Sequence, residues 1–206
     1  MKSKASKEPA AAKAKAKQAP PAAPAKQPAT AKAVKAKAVK AVKAVPAKSP
    51  KGGISAGSRA PTFTLSDQAG KSVSSSALAG APYVLYFYPK DNTTGCTKEA
   101  CGFRDSFPSF GKVRARVLGV SPDSETSHAG FAKKYGLPFT LLADPDKVLA
   151  NAYGVWVKKQ NYGREYMGIA RSTFVIDAKG VVQKAWRNVK VDGHVDAVLE
   201  AVQALD

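Results

Sequence analysis

Six consecutive residues, Tyr83-Val-Leu-Tyr-Phe-Tyr88, are all aromatic or aliphatic, and the run stops at Pro89. A short apolar stretch of this kind suits a strand buried on both faces, in the middle of a sheet covered by helices. Proline cannot continue a central ladder, so the chain leaves the sheet there. A polar loop, Lys90-Asp-Asn-Thr, follows, and then a helix is expected over about residues 94–107. The run thus sets up a strand, loop and helix unit with Cys96 at the beginning of the helix.

The remaining elements arrange themselves around this unit. Residues 62–65 and 71–73 read as short strands about the turn Asp67-Gln-Ala-Gly70. Residues 116–120 form the next expected strand, and Ser124 is placed to cap a helix ending near Tyr135-Gly136. Thr140–Ala143 is a further strand, with a helical piece from about 147 to 153. Strands over 166–170, 172–177 and 181–186 come next, the last two joined by Ala178-Lys-Gly180. Val195, Val198, Leu199, Val202 and Leu205 repeat at helical spacing and mark a terminal amphipathic helix. Strands alternating with helices and then pairing as hairpins predict an α/β fold with a central mixed β-sheet and helices on both faces.

Residues 1–51 are of another kind. They hold 14 Lys, no Arg and a single acid, Glu8, and so carry +13 of the formal net charge of +18. The first aromatic residue is Phe63. Dense like charge with so few bulky apolar groups does not offset the entropy of ordering the chain. The expected organisation is a disordered Lys/Ala/Pro-rich basic tail over 1–53 and one folded domain over 54–206. No apolar run approaches a bilayer span, and none follows the basic N-terminus as in a secretory signal. Transit peptides favour Arg, and none precedes Arg59. With two cysteines five apart, this points to a reducing cytosol and to redox chemistry rather than a structural staple.

Cys96 falls where the unpaired amides and the dipole of a helix N-terminus stabilise an anion. The thiolate is the reactive form of cysteine. Thr93, three residues earlier, offers a hydroxyl to an incoming oxygen. Cys101 lies five residues on, and on a regular helix the two Cα atoms are then about 8.6 Å apart. A disulfide needs less than about 7 Å, so pairing of these two requires local unwinding. By spacing alone the pair reads equally well as two small buried hydrophobes on a helix face. The two cysteines with His128 and His194 do not show zinc-site spacing, so no metal is expected. Arg171, just before an apolar strand, can reach the end of the sheet, where a permanent cation would hold a thiolate and orient an oxygen. Taken alone, an arginine there is more commonly a solvated surface charge.

Taken together, the motifs resemble a known family. Pro89-Lys-Asp-Asn-Thr93-Thr-Gly-Cys96 matches the peroxiredoxin pattern Pro-x-x-x-Thr-x-x-Cys, and the five-residue step to Cys101 resembles the bacterioferritin-comigratory, or peroxiredoxin Q, branch. The similarity runs on through Leu118-Gly-Val-Ser-Pro-Asp123, Tyr135-Gly-Leu-Pro-Phe-Thr-Leu-Leu-Ala-Asp144, Arg171-Ser-Thr-Phe-Val-Ile-Asp177 and His194. It covers nearly all of the body and none of the tail. It implies a thioredoxin-like fold and reduction of hydrogen peroxide and organic hydroperoxides. By position Cys96 is then peroxidatic, Cys101 resolving, Thr93 and Arg171 the peroxide-activating pair, and Pro89 a shield of the site. A thioredoxin-type dithiol is the implied reductant, with no metal, haem or flavin cofactor. One departure is visible: Thr94 stands where the family usually has proline, which frees the helix start and predicts lower efficiency without loss of activity.

The tail resembles linker-histone tails in composition only. Its charge suits sequence-independent, salt-sensitive contact with nucleic-acid phosphates, and equally a merely solubilising extension. Two rival functions compete with the peroxidase: a thioredoxin-like disulfide oxidoreductase, disfavoured because that class uses C-x-x-C, and a nucleic-acid-binding protein with a redox-inactive body. A disulfide within one chain needs no second subunit, which favours a monomer, and the expected location is cytoplasmic, at the nucleoid if the tail contacts DNA.

Overall fold

The computed structural model describes residues 53–161 and 163–205. The expectations for the basic tail lie outside the described residues, Gly53 excepted. Nine strands and four α-helices occur among the described residues. In chain order they are β1 Thr64–Asp67, β2 Ser72–Ser74, β3 Tyr83–Phe87, α1 Thr94–Lys112, β4 Arg116–Ser121, α2 Glu125–Tyr135 and β5 Thr140–Ala143. Then follow α3 Val148–Ala152, β6 Trp156–Asn161, β7 Arg164–Ile169, β8 Ser172–Ile176, β9 Val182–Arg187 and α4 His194–Gln203. A 3-10 turn, Ser75–Leu78, joins β2 to β3.

Seven strands form one mixed sheet in the order β2-β1-β5-β4-β3-β8-β9, and β6 and β7 pair separately as a hairpin. β3 is parallel to β4 and antiparallel to β8, and all five of its residues are buried. Its alternation divides the core. Leu85 and Phe87 point into a cluster with Leu118, Leu142, Tyr153 and Phe174, on the side of α3. Val84, Tyr86 and Tyr88 point the other way, among Phe103, Phe110, Phe131 and Val198 of α1, α2 and α4. The sheet is thus covered by helices on both faces, the mixed arrangement anticipated from the order of elements.

The capping signals act as the residues suggest. The Ser124 hydroxyl accepts from the Ser127 amide at 3.3 Å, and Gly136 ends α2 at φ 61°, a left-handed position that glycine occupies without a Cβ clash. Two expectations differ from the structure. α1 continues past residue 107 and through Pro108 to Lys112, because its last turns bury Phe110 against the core and that burial outweighs the missing proline amide. β6 has no counterpart among the expected strands: its sequence, Trp-Val-Lys-Lys-Gln-Asn, is too polar to show a buried period. The remaining boundaries shift by a few residues at most.

Candidate active site

β3 ends at Phe87, and Tyr88 adds one further ladder bond from its amide to Val120 O at 3.1 Å. Pro89 then turns the chain outward. In loop 89–93 every residue is exposed except Asp91, and Asn92 takes φ 58°. Thr93 is extended at the helix N-cap; its hydroxyl does not cap the helix but donates to Lys90 O at 3.1 Å, and the residue faces solvent. Thr94, Gly95 and Cys96 are the first three residues of α1. The peroxidatic candidate therefore sits in the turn whose amides lack helical partners.

Cys96 is buried to 1% exposure, and Arg171 Nη2 donates to its Sγ at 3.2 Å. Arg171 leaves the main chain between β7 and β8, where its carbonyl accepts from the Val189 amide at 3.0 Å. Its other arm, Nη1, is paired with Glu99 Oε2. Glu99 is one turn beyond Cys96 on the same helix and fully buried. A guanidinium bridging a carboxylate and a sulfur has its orientation fixed at both ends. Gly95 leaves it room, since a Cβ there would lie 3.3 Å from Arg171 Nη2.

The electrostatics are those of a small, dry, charged cluster. Burial pushes the Glu99 carboxyl up to about 7, and the attraction of Arg171 only partly offsets this. Desolvation works against the Arg171 charge, but Glu99 and Cys96 hold it above its ordinary value. Glu99 Oε1 is buried without a hydrogen-bond partner. Lys159 of β6 is half-buried at the edge of the cluster; desolvation and then Arg171 lower its ammonium, and Cys96 pulls the other way. His194 Nε2 lies 2.7 Å from Thr173 Oγ1, and burial with help from Arg171 lowers the ring to about 4, so it is neutral at pH 7.

Of the five candidate residues, the structure brings Cys96 and Arg171 into contact and places Thr93 at the cap of the same helix. Pro89 is exposed at the loop's start. Cys101 is a free, half-buried cysteine farther along α1, which is continuous through both sulfurs. Reading the sequence missed Glu99 and Lys159. Glu99 stood at the i+3 position from Cys96, a usable signal; Lys159 stood in a strand that had no recognisable pattern.

The chain belongs to the AhpC/TSA family, whose model matches residues 56–185. Within that family it is a peroxiredoxin, a thiol peroxidase, of the bacterioferritin-comigratory and peroxiredoxin Q kind. It is 50% identical over 150 residues to the peroxiredoxin Bcp of Bacillus subtilis, covering 73% of this chain and 96% of that one. It is 45% identical over 155 residues to the chloroplastic peroxiredoxin Q of Sedum lineare, 74% and 80% of the two chains. A solved structure of the Xanthomonas campestris bacterioferritin comigratory protein, from work on its alkyl peroxide reduction activity, superposes with a TM-score of 0.67 at 46% identity, covering 69% and 90%. The thioredoxin-like fold is that of these neighbours. Among the described residues no helix is long and apolar enough to cross a membrane, and no group of three metal-ligating side chains occurs.

Proposed function

We propose that the protein reduces hydrogen peroxide and organic hydroperoxides through Cys96, with Cys101 as the resolving thiol. The observation that carries this is the contact of Arg171 Nη2 with Cys96 Sγ at 3.2 Å, at the first turn of α1, with Glu99 holding the guanidinium from behind. The Cys96 thiolate attacks one peroxide oxygen, the O–O bond breaks, and the other oxygen departs with a proton as water or alcohol. Cys96 is left two electrons oxidised, as a sulfenic acid. Arg171 and the Thr93 hydroxyl stabilise the charge that moves between the oxygens, and Pro89 screens the loop side of the thiol.

Resolution then joins Cys101 to Cys96 and releases water. On an intact helix these Cα atoms are about 8.6 Å apart, so the first turns of α1 open for the bond to form. Thiolate attack by a thioredoxin-type dithiol returns both cysteines to the reduced state. The cycle closes within one chain, in keeping with a monomeric enzyme acting in the cytoplasm. The 14 Lys of residues 1–51 support sequence-independent contact with nucleic acid, which would hold the scavenger beside DNA. Retention of a 1–51 peptide on duplex DNA that falls steeply with salt is the expected result for that arm.

The cycle is tested by intact mass after one equivalent of peroxide. Wild type loses two hydrogens, and Cys101→Ser gains one oxygen on Cys96. No mass change in either protein would remove the assignment.

A further inference from the structure

Asp91 is the one buried member of an otherwise exposed loop, and both its carboxylate oxygens and its amide are hydrogen-bonded. Its Oδ1 accepts from the Tyr88 hydroxyl at 2.8 Å. Its Oδ2 accepts from the Ser127 hydroxyl at 2.6 Å and from His128 Nδ1 at 2.9 Å. Its amide donates to Asp123 Oδ2 at 2.7 Å, an oxygen that also accepts from Ser121 Oγ at 2.9 Å. The loop is therefore fastened, through this residue, to β3, to the turn after β4 and to α2.

His128 completes the arrangement from α2 and has no solvent exposure. Nδ1 meets the Asp91 carboxylate and, at 3.4 Å, the Tyr88 hydroxyl; Nε2 meets Leu142 O of β5 at 3.2 Å. A carboxylate and a carbonyl both accept, so the ring is held between two acceptors, one on the loop and one on the sheet. Burial opposes the Asp91 charge, but the hydrogen bonds from His128, Ser127 and Tyr88 hold the carboxyl below its ordinary range. A buried carboxylate and imidazole are a costly way to fill a core, and apolar groups of similar shape are often neutral or better for stability. The position of Asp91 is informative, because it stands two residues before Thr93, in a loop with Asn92 in the left-handed region.

The geometry points to Asp91 and His128 as positioning residues that fix loop 89–93, and with it Thr93 at the N-cap of α1, three residues before Cys96. This rests on the reading of Cys96 as the peroxidatic thiol. Neither residue touches the reacting atoms; they act by holding the loop, and reacting groups displaced by about 1 Å lose on the order of a hundredfold in rate.

The test uses the full chain in a Cys101→Ser background, so that only the first chemical step is read. Stopped-flow rates are compared for hydrogen peroxide and for iodoacetamide, an alkylating agent that needs no aligned O–O bond. Asp91→Asn and His128→Gln are expected to slow the peroxide reaction roughly ten- to a hundredfold, with alkylation within about twofold of the parent. Ser127→Ala, which removes one bond and keeps the pair, should give a few-fold drop on a folded protein if the larger changes prevent folding. Leu149→Ala, in the opposite core, should lower the unfolding midpoint and leave both rates unchanged. Equal loss in both reactions, or peroxide rates within twofold of the parent, would each overturn the proposal. A parent protein that is not oxidised by peroxide at all would instead remove the peroxidatic reading beneath it.

Discussion

The leading turns of α1, from Thr94 to Cys101, and its trailing turns, from Gly102 to Lys112, share one hydrogen-bonded ladder but rest on different contacts. The trailing part is held by aromatic packing. Phe103 stacks on Tyr86 at 4.7 Å between ring centroids and meets Phe110 at 5.9 Å, and both phenylalanines are fully buried. The leading part carries both cysteines, a buried carboxylate with one unpartnered oxygen, and an exposed ion pair from Lys98 to Asp192. Exposed pairs of that kind contribute about 0–1 kcal/mol. Gly102 lies at the boundary, where a Cβ would come within 3.1 Å of Val195 Cγ2 on α4. The comparison teaches where the helix can give way: the part that the proposed disulfide requires to open buries only the small Cys96 and Ala100 beside its polar contacts, and the part that must hold buries two phenylalanines.

The largest effect expected is on the anchored side. Phe103→Ala should cost about 3–5 kcal/mol of stability, as for other buried aromatic truncations, measured by urea unfolding of the reduced protein. A loss under 1 kcal/mol would mean that the trailing turns are not the anchor.

On the polar side, Glu99→Gln sharpens the comparison through pH. The wild-type carboxyl titrates near 7, above its ordinary value of 4.5. It is protonated below that range and ionised above it, and only the ionised form holds Arg171 as a charge pair. The rate of Cys96 oxidation should therefore rise with pH through about 7 in the wild type. Because the folded pKa is raised, the unfolded chain sheds this proton first, and stability falls as pH climbs from about 4.5 to 7. Glu99→Gln should remove the step near 7 and slow oxidation by about tenfold, in the range found for outer-shell orienting groups. An unchanged profile would show that Glu99 does not set the guanidinium.

The smallest effect is expected at Thr94. It is the first residue of α1, where proline fits, and Thr93 before it has the extended backbone, φ −83° and ψ 151°, that proline demands of its predecessor. Thr94→Pro should stabilise the protein by about 0.4–1 kcal/mol and, by aligning the helix start, raise the rate of Cys96 oxidation slightly. It should also slow disulfide formation, because the leading turns become stiffer. Unchanged peroxide kinetics would remove the idea that this position tunes the site.

The sequence disclosed the elements whose signals are local. The Tyr83-to-Tyr88 run, the Ser124 and Gly136 caps and the periodic Val195, Val198 and Val202 are each legible within one or two turns, and the structure has them in place. What was not legible depends on distant pairing. Asp91 meets His128 across 37 residues and Glu99 meets Arg171 across 72, so neither charge could be assigned a partner until the sheet brought them together. Likewise Arg171 read as an ordinary surface charge by itself; only the start of β8, paired with the end of β3, delivers it to Cys96. β6 escaped notice because a polar ribbon outside the main sheet has no buried face to impress a period on its residues.

Amide hydrogen exchange along α1, in the reduced protein and after one equivalent of peroxide, tests the division of the helix most directly. Protection should be lost over residues 94–101 on oxidation and kept over 103–112. A disulfide that forms with protection intact throughout, or with protection lost along the whole helix, would contradict it.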